Sequence, residues 1–266
     1  MLILPMCLIA LYSVTEHGNS IVSFSLTLEH YVKFFTDPDF LLILWRSMAI
    51  AVKTTIICLF LGYPIAYFIS RSSEQMQNLL VLIITVPTWI NMLVRTYAWI
   101  GLLSDGGLFQ QILGFFGLGD VQLLHTEGAV LLGMVYNFLP FMILPVYTSM
   151  LKIDNRLIEA ARDLGSNSFI VFKKIILPLS LPGVISGITM VFVPCITTFV
   201  IPQLLNNKVW TIGSLIEFQI NGNANSAGGV NNTAAAISFI LMIIVFICMS
   251  IFSKFDSDGA ENGGLM

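Results

Sequence analysis

Runs dominated by apolar residues occupy positions 41–69, 79–103, 129–151, 175–201 and 233–252. Each is long enough to cross a hydrocarbon core about 30 Å thick, which takes roughly 20 helical residues. A sixth run, 1–14, is apolar but extends only about 21 Å as a helix. Two readings of it compete. As the core of a secretion signal it lacks a preceding cation, the first being Lys33, and no small-x-small cleavage pattern follows. The preferred reading is the last part of a first transmembrane helix, truncated or spanning short. The pattern therefore predicts an all-α membrane protein of about six transmembrane helices, forming one domain over 1–255. The Asn-, Gly- and Ser-rich stretch 221–232 reads as a mobile external loop. The tail 256–266 reads as a frayed solvated end.

The polar connections carry unequal charge. Arg71, Lys152, Arg156, Arg162, Lys173, Lys174 and Lys254 fall on one side of this topology, and only Lys33, Arg46 and Lys208 on the other. Cations favour the cytoplasmic side. The expected cytoplasmic parts are both termini, the turn at 70–78 and the loop at 152–174. The loops around 15–40, 104–128 and 203–232 are expected outside.

Composition agrees with the pattern. Of the 266 residues, 56% are hydrophobic and 10% charged, against about 25% charged in soluble domains. A net charge of −3 offers no basic surface for nucleic acid. Cys7, Cys58, Cys195 and Cys248 lie within apolar runs without paired spacing and read as small hydrophobes. Catalytic chemistry is not evident. No lysine follows a glycine as a phosphate-cradling loop requires, and no HExxH or GxSxG pattern occurs. His17, His30 and His125 are far apart, and metal ligation by them is not expected.

The segment 152–174 is the unusual connection. Leu157, Ile158, Ala161 and Leu164 form one apolar stripe at helical spacing. Asp154 or Asn155 suits the start of that helix and Gly165 its left-handed stop. Ser166 then suits the start of a second short helix bearing Phe169 and Phe172. Glu159 and Asp163 interrupt the basic residues, so a protein partner fits this loop better than anionic lipid.

Glu159-Ala160-Ala161, Gly165, Ile175 and Leu177-Pro178 resemble, at matching spacing, the EAA loop of ABC importer permeases. Further segments are similar to the spermidine/putrescine permeases of the PotB type. These are Leu61-Gly-Tyr-Pro-Ile-Ala-Tyr-Phe68, Val86-Pro-Thr-Trp-Ile-Asn-Met-Leu-Val-Arg-Thr-Tyr-Ala-Trp99 and Leu131-Leu-Gly-Met-Val-Tyr-Asn-Phe-Leu-Pro-Phe-Met142. The similarity covers most of 30–220 and weakens at 221–232, where relatives carry a Trp-Pro-Phe-Gly-like turn. The resemblance implies a MetI-like permease fold in a bacterial inner membrane. It implies that Glu159, Ala160, Ala161, Asp163 and Gly165 couple to a cytoplasmic ATPase dimer that binds ATP and magnesium. This chain itself would carry no cofactor, no metal and no catalytic residue. Implied partners are a second related permease subunit and an external polyamine-binding protein. A permease for iron, phosphonate, sulfate or thiamine shares the same loop, and a standalone channel or carrier is the rival from another class.

Polar groups within apolar runs are functional candidates, because a charge in hydrocarbon is costly. Lys53 can snorkel outward or pair at a helix interface. Arg95 sits four residues after Asn91, so the two share a face if the helix is continuous. A cationic solute disfavours Arg95 in its direct path, so a pairing or gating role is expected. Ammonium groups favour aromatic faces, which makes Trp89, Tyr97, Trp99, Tyr136 and Asn137 candidates to line a path. Pro194 with Thr197 and Thr198 marks a bend where freed carbonyls can face a cavity.

Overall fold

The computed structural model describes residues 3–15, 27–115, 117, 122–222 and 232–263, and every regular element among them is helical. The long elements are α3 (Pro38–Ser70), α7 (Glu127–Leu151), α10 (Leu177–Thr197) and α13 (Asn232–Gly263). Shorter ones in chain order are α1 (Ile3–Ser13), α2 (Glu29–Thr36), α4 (Glu74–Thr85), α5 (Met92–Leu103) and α6 (Leu108–Phe115). They are followed by α8 (Asn155–Asp163), α9 (Ser168–Val171), α11 (Val200–Leu205) and α12 (Ile212–Gly222).

Local chemistry explains most boundaries. The side chain of Asp37 accepts from the Asp39 amide at 3.0 Å and Pro38 opens α3, where its missing N–H costs nothing. Thr126 caps α7 by accepting from the Ala129 amide at 3.1 Å. Between α9 and α10 the helix widens into a π-turn over Phe172–Ile176, and the Leu177 amide reaches back to the Phe172 carbonyl. Pro178 stands next and cannot donate to the preceding turn, so the widened register accommodates it.

The core is a trio of helices, α3, α7 and α10, packed on buried Ala51, Cys58, Ala66, Met134, Met142, Val146, Val191 and Ile196. Their backbones approach closely at glycines. A Cβ added to Gly183 of α10 would lie 2.4 Å from the Ser149 Cβ and 2.6 Å from the Pro145 carbonyl oxygen of α7. Gly62 of α3 and Gly187 of α10 both face Met142.

Among the described residues, four helices are long and apolar enough to cross a membrane: Pro38–Ser70, Glu127–Leu151, Ser168–Thr197 and Asn232–Phe252. The run expected at 79–103 is not one straight helix. It divides into Glu74–Trp89 and Met92–Phe115, bent by 92°. Pro87 tightens the chain into a 3-10 turn over Val86–Trp89, Ile90 is extended, and Asn91 starts a new helix by accepting from the Leu93 amide at 2.8 Å. The run expected at 175–201 begins earlier, at Ser168, and stops at Thr197, because Thr198 is extended and α11 turns away. The expected external loops contain α2, α6 and α12. Residues 223–231, most of the expected mobile loop, lie outside the described residues, and the expected frayed tail continues α13 as far as Gly263. The short initial helix has 11 residues, too few to span a bilayer alone.

Candidate functional site

The elbow between α7 and α10 is built by local rules. Asp154 caps α8 by accepting from the Arg156 amide at 2.9 Å. Gly165 ends the segment at φ +80°. Its amide donates to the Arg162 carbonyl at 2.9 Å and the Ser166 amide to the Ala161 carbonyl at 3.0 Å, a paired closure that needs a left-handed residue. The second helix is capped by Asn167, whose side chain accepts from the Ile170 amide at 2.8 Å, and not by Ser166. Asn167 is one residue nearer the helix and its carboxamide oxygen reaches the third amide of the turn.

The predicted stripe divides in two. Ile158 turns inward onto Ile153, Val171 and Ile176, forming a small separate core with Ala161, Phe172 and Tyr67 against it. Leu157, Leu164 and Phe169 turn outward, with Leu164 87% exposed and Phe169 71% exposed. Glu159, Ala160, Asp163 and Gly165 are exposed beside them, and Ala161 is half-buried. The elbow thus has an internal support and an uncovered apolar surface edged by carboxylates.

Contacts tie this elbow to α3, and α7 to α4. The Phe172 ring meets Tyr63 and Tyr67 edge-on, with centroids 5.8 and 6.3 Å apart. Tyr63 shares a hydrogen bond of 2.9 Å with Ser180 of α10. The Arg71 guanidinium donates to the Asn155 side chain and lies over the Tyr67 ring. Tyr147 of α7 donates to Gln77 at 3.3 Å. The ends of α3 and α7, the start of α4 and the elbow therefore share one end of the molecule.

Residues singled out within the apolar runs separate into groups. Asn91 and Arg95 do not share a helical face as side chains in a row, since Asn91 is the cap of α5. Arg95 is half-buried, and its Nε and Nη1 have no hydrogen-bond partner among the described residues. Trp89 stands exposed at the bend and Tyr97 is exposed on α5. Trp99 stacks on Phe109 of α6 at 6.0 Å and meets Tyr136 of α7 edge-on at 5.3 Å. Asn137 is buried and donates to the Gly133 carbonyl at 2.8 Å, while its Oδ1 has no partner among the described residues. Lys53 pairs with Glu127 at 3.7 Å, both more than half exposed.

Pro194 leaves α10 without one internal donor, and the helix ends four residues later with the Thr198 amide on the Pro194 carbonyl at 2.9 Å. Thr197 donates toward the Val193 and Pro194 carbonyls at 3.2 Å each. It faces a cavity of about 530 Å³ between the end of α10, α12 and α13. Thr197, Glu217, Asn221 and Ser238 are the polar residues in its wall. The pathway candidates thus fall into two places, the α5–α7 aromatic cluster and the end of α10, which the structure does not merge.

A family model described as binding-protein-dependent transport system inner membrane component matches residues 40–257. The chain belongs to this family. The permease is 36% identical over 251 residues to the spermidine/putrescine transport system permease protein PotB of Haemophilus influenzae, covering 92% of this chain and 86% of that protein. It is 35% identical to the protein of the same name from Escherichia coli K12, over 87% of this chain and 86% of the relative. Among solved structures, its fold matches a bacterial ABC transporter involved in the import of the acidic polysaccharide alginate. There the TM-score is 0.78 at 14% identity, over 96% of this chain and 90% of that one. It also matches the inward-facing MetNI methionine ABC transporter at TM-score 0.58 and 16% identity, over 82% and 95%. At such identities these two structures speak to fold alone.

Sequence reasoning about the permease passed over Glu217, and it did not foresee that Phe172 would meet Tyr63 and Tyr67. A signal for Glu217 was present. It is the one carboxylate between Asp163 and Asp256, within an otherwise apolar helical stretch. The aromatic contacts of Phe172 had none, because they join residues more than 100 positions apart.

Proposed function

We propose that this chain is the non-catalytic translocation subunit of an ABC importer for polyamines. The observation that carries the reading is the elbow: an EAA-type sequence folded into two capped helices with an uncovered apolar face, in a chain 36% identical to a spermidine/putrescine permease. Leu157, Leu164 and Phe169 form the apolar contact for an ATPase subunit. Glu159, Ala160, Ala161, Asp163 and Gly165 set its polar edge and its close approach.

A second, related permease subunit completes the pathway, and Arg95, whose Nε and Nη1 are buried without a hydrogen-bond partner among the described residues, takes a pairing or gating role. Two ATPase copies bind ATP and magnesium and grip one elbow each. Closure of the ATPases draws the elbows together and opens the opposite end to an external polyamine-binding protein. The energy for this comes from differential contact in the two states. Both termini and the elbow lie on the cytoplasmic side. Of the earlier pathway candidates, Thr197, Thr198 and Pro194 sit where α10 ends at the cavity. Exposed Trp89, Asn91, Tyr97 and Tyr136 line the face toward the second subunit, with Trp99 packed against Tyr136 and Asn137 buried.

The test is purification of the complete importer and measurement of its ATPase in lipid with the loaded binding protein. Spermidine or putrescine is expected to stimulate hydrolysis. Assembly without an ATPase on the elbow, or stimulation by a different solute only, overturns the reading.

A further inference from the structure

We propose that the cavity between α10, α12 and α13 receives an ammonium group of the transported polyamine, with Glu217 as its counter-charge. This rests on the polyamine reading above and names the site in this chain that serves it.

The cavity is built rather than incidental. Gly213 lets α12 approach the end of α10, since a Cβ there would fall 2.5 Å from the Thr197 carbonyl oxygen. The start of α12 is fixed by the Ile212 amide donating to Ser47 of α3 at 2.7 Å, and by Thr211 and Ser214 bonding to each other. Gly213, Ile216, Glu217 and Ile220 recur at helical spacing on the face of α12 that lines the cavity. The opposite wall is Leu241, Met242 and Val245 of α13. Its volume of about 530 Å³ falls in the range of small-ligand sites, which is about 300–1,000 Å³.

The polar groups in this wall are suited to a cation. Glu217 has no ion-pair partner among the described residues. Asn221 donates to its Oε1 at 2.7 Å and holds the carboxylate in place, leaving Oε2 free of any partner among the described residues. The hydroxyls of Thr197 and Ser238 already donate to backbone carbonyls, Ser238 to Ala234 at 2.8 Å. What these hydroxyls offer to the cavity is lone pairs. A carboxylate oxygen and two accepting hydroxyls in an apolar wall match an ammonium, which has donors only. The aliphatic walls match the methylene chain behind it. An anionic solute is repelled, and a neutral one leaves the carboxylate uncompensated. A metal ion finds too few ligands, since the described residues contain no group of three His, Cys, Asp or Glu. Thr197 closes the helical rod that begins at Ser168 in the elbow, so the site sits at the far end of the element the motor would move.

The experiment is uptake of radiolabelled spermidine by the complete importer in proteoliposomes, at saturating loaded binding protein. Glu217→Gln keeps the shape and removes the charge. It is expected to lower uptake about tenfold, as the loss of a charge-assisted contact requires. Glu217→Asp is expected to restore most of the rate. Uptake by the Gln variant within threefold of wild type overturns the proposal. Met242→Trp fills the cavity from the other wall with Glu217 intact. It is expected to block uptake as well, and normal uptake with the cavity filled overturns the proposal even if Glu217→Gln fails to assemble. The wild-type arm separates the two levels: a wild-type importer that takes up no spermidine overturns the polyamine reading, and this site with it.

Discussion

Gly165 decides where the elbow turns. Its φ of +80° disfavours any side chain by about 1–2 kcal/mol, although the space around a Cβ is open. A bulky residue there therefore acts through the backbone turn and through whatever docks on it, not through crowding within this chain. Gly165→Leu is expected to leave the helices of the membrane core intact while separating ATP hydrolysis from uptake. Proteoliposomes containing the full importer measure both, and an unchanged ratio of transport to hydrolysis contradicts the coupling role. Asp154 and Gly165 were legible in the sequence because capping is decided within four residues of chain. The turn from Ser166 to Asn167 as second cap was a local choice between adjacent polar residues. Glu217 was harder, because its significance depends on α13, which reaches it from 20 or more positions away. Arg95 was legible as an oddity, and its Nε and Nη1 have no hydrogen-bond partner among the described residues.

Apolar length alone misjudged the break within 79–103. Hydropathy registers what can sit in lipid, and both arms of the bent pair can. The break is written instead in Pro87 and Asn91, one removing a donor and the other supplying a cap. The π-turn at Phe172–Ile176 follows the same logic with Pro178, but here the helix continues and carries Phe172 onto Tyr63 and Tyr67. Phe172→Ala removes both ring contacts from a half-buried position. A loss of about 2 kcal/mol is expected, below the about 3–5 for a fully buried ring. It should appear as a lower denaturation midpoint of the purified complex and as looser elbow exchange in hydrogen–deuterium measurements. An unchanged midpoint would show that the aromatic bracket is not a support. Gly183→Leu places atoms where Ser149 and the Pro145 carbonyl already stand. Loss of folded complex on size-exclusion chromatography is the expected outcome, because two packed helices would have to separate.

For the molecule as a whole, the charge asymmetry and the observed contacts agree on which segments share an end. Arg71 meets Asn155 and Gln77 meets Tyr147, joining the two connections that the cationic residues placed on one side. Reporter fusions at the first and last residues should therefore both read cytoplasmic in a bacterial host, together with a tag inserted after Ser166. An external reading at any of the three contradicts the assigned orientation.

The glycine contacts at 62, 183 and 187 have a mechanical corollary. The main chain of α10 nearly touches that of α7 at Gly183 and Gly187, and α3 packs on α7 side chains at Gly62, which leaves little slack within the trio for sliding or hinging. Any alternation between an inward-open and an outward-open shape must then be accommodated along the seams outside that trio, where α5 and α13 border it, with the trio itself travelling as one solid piece.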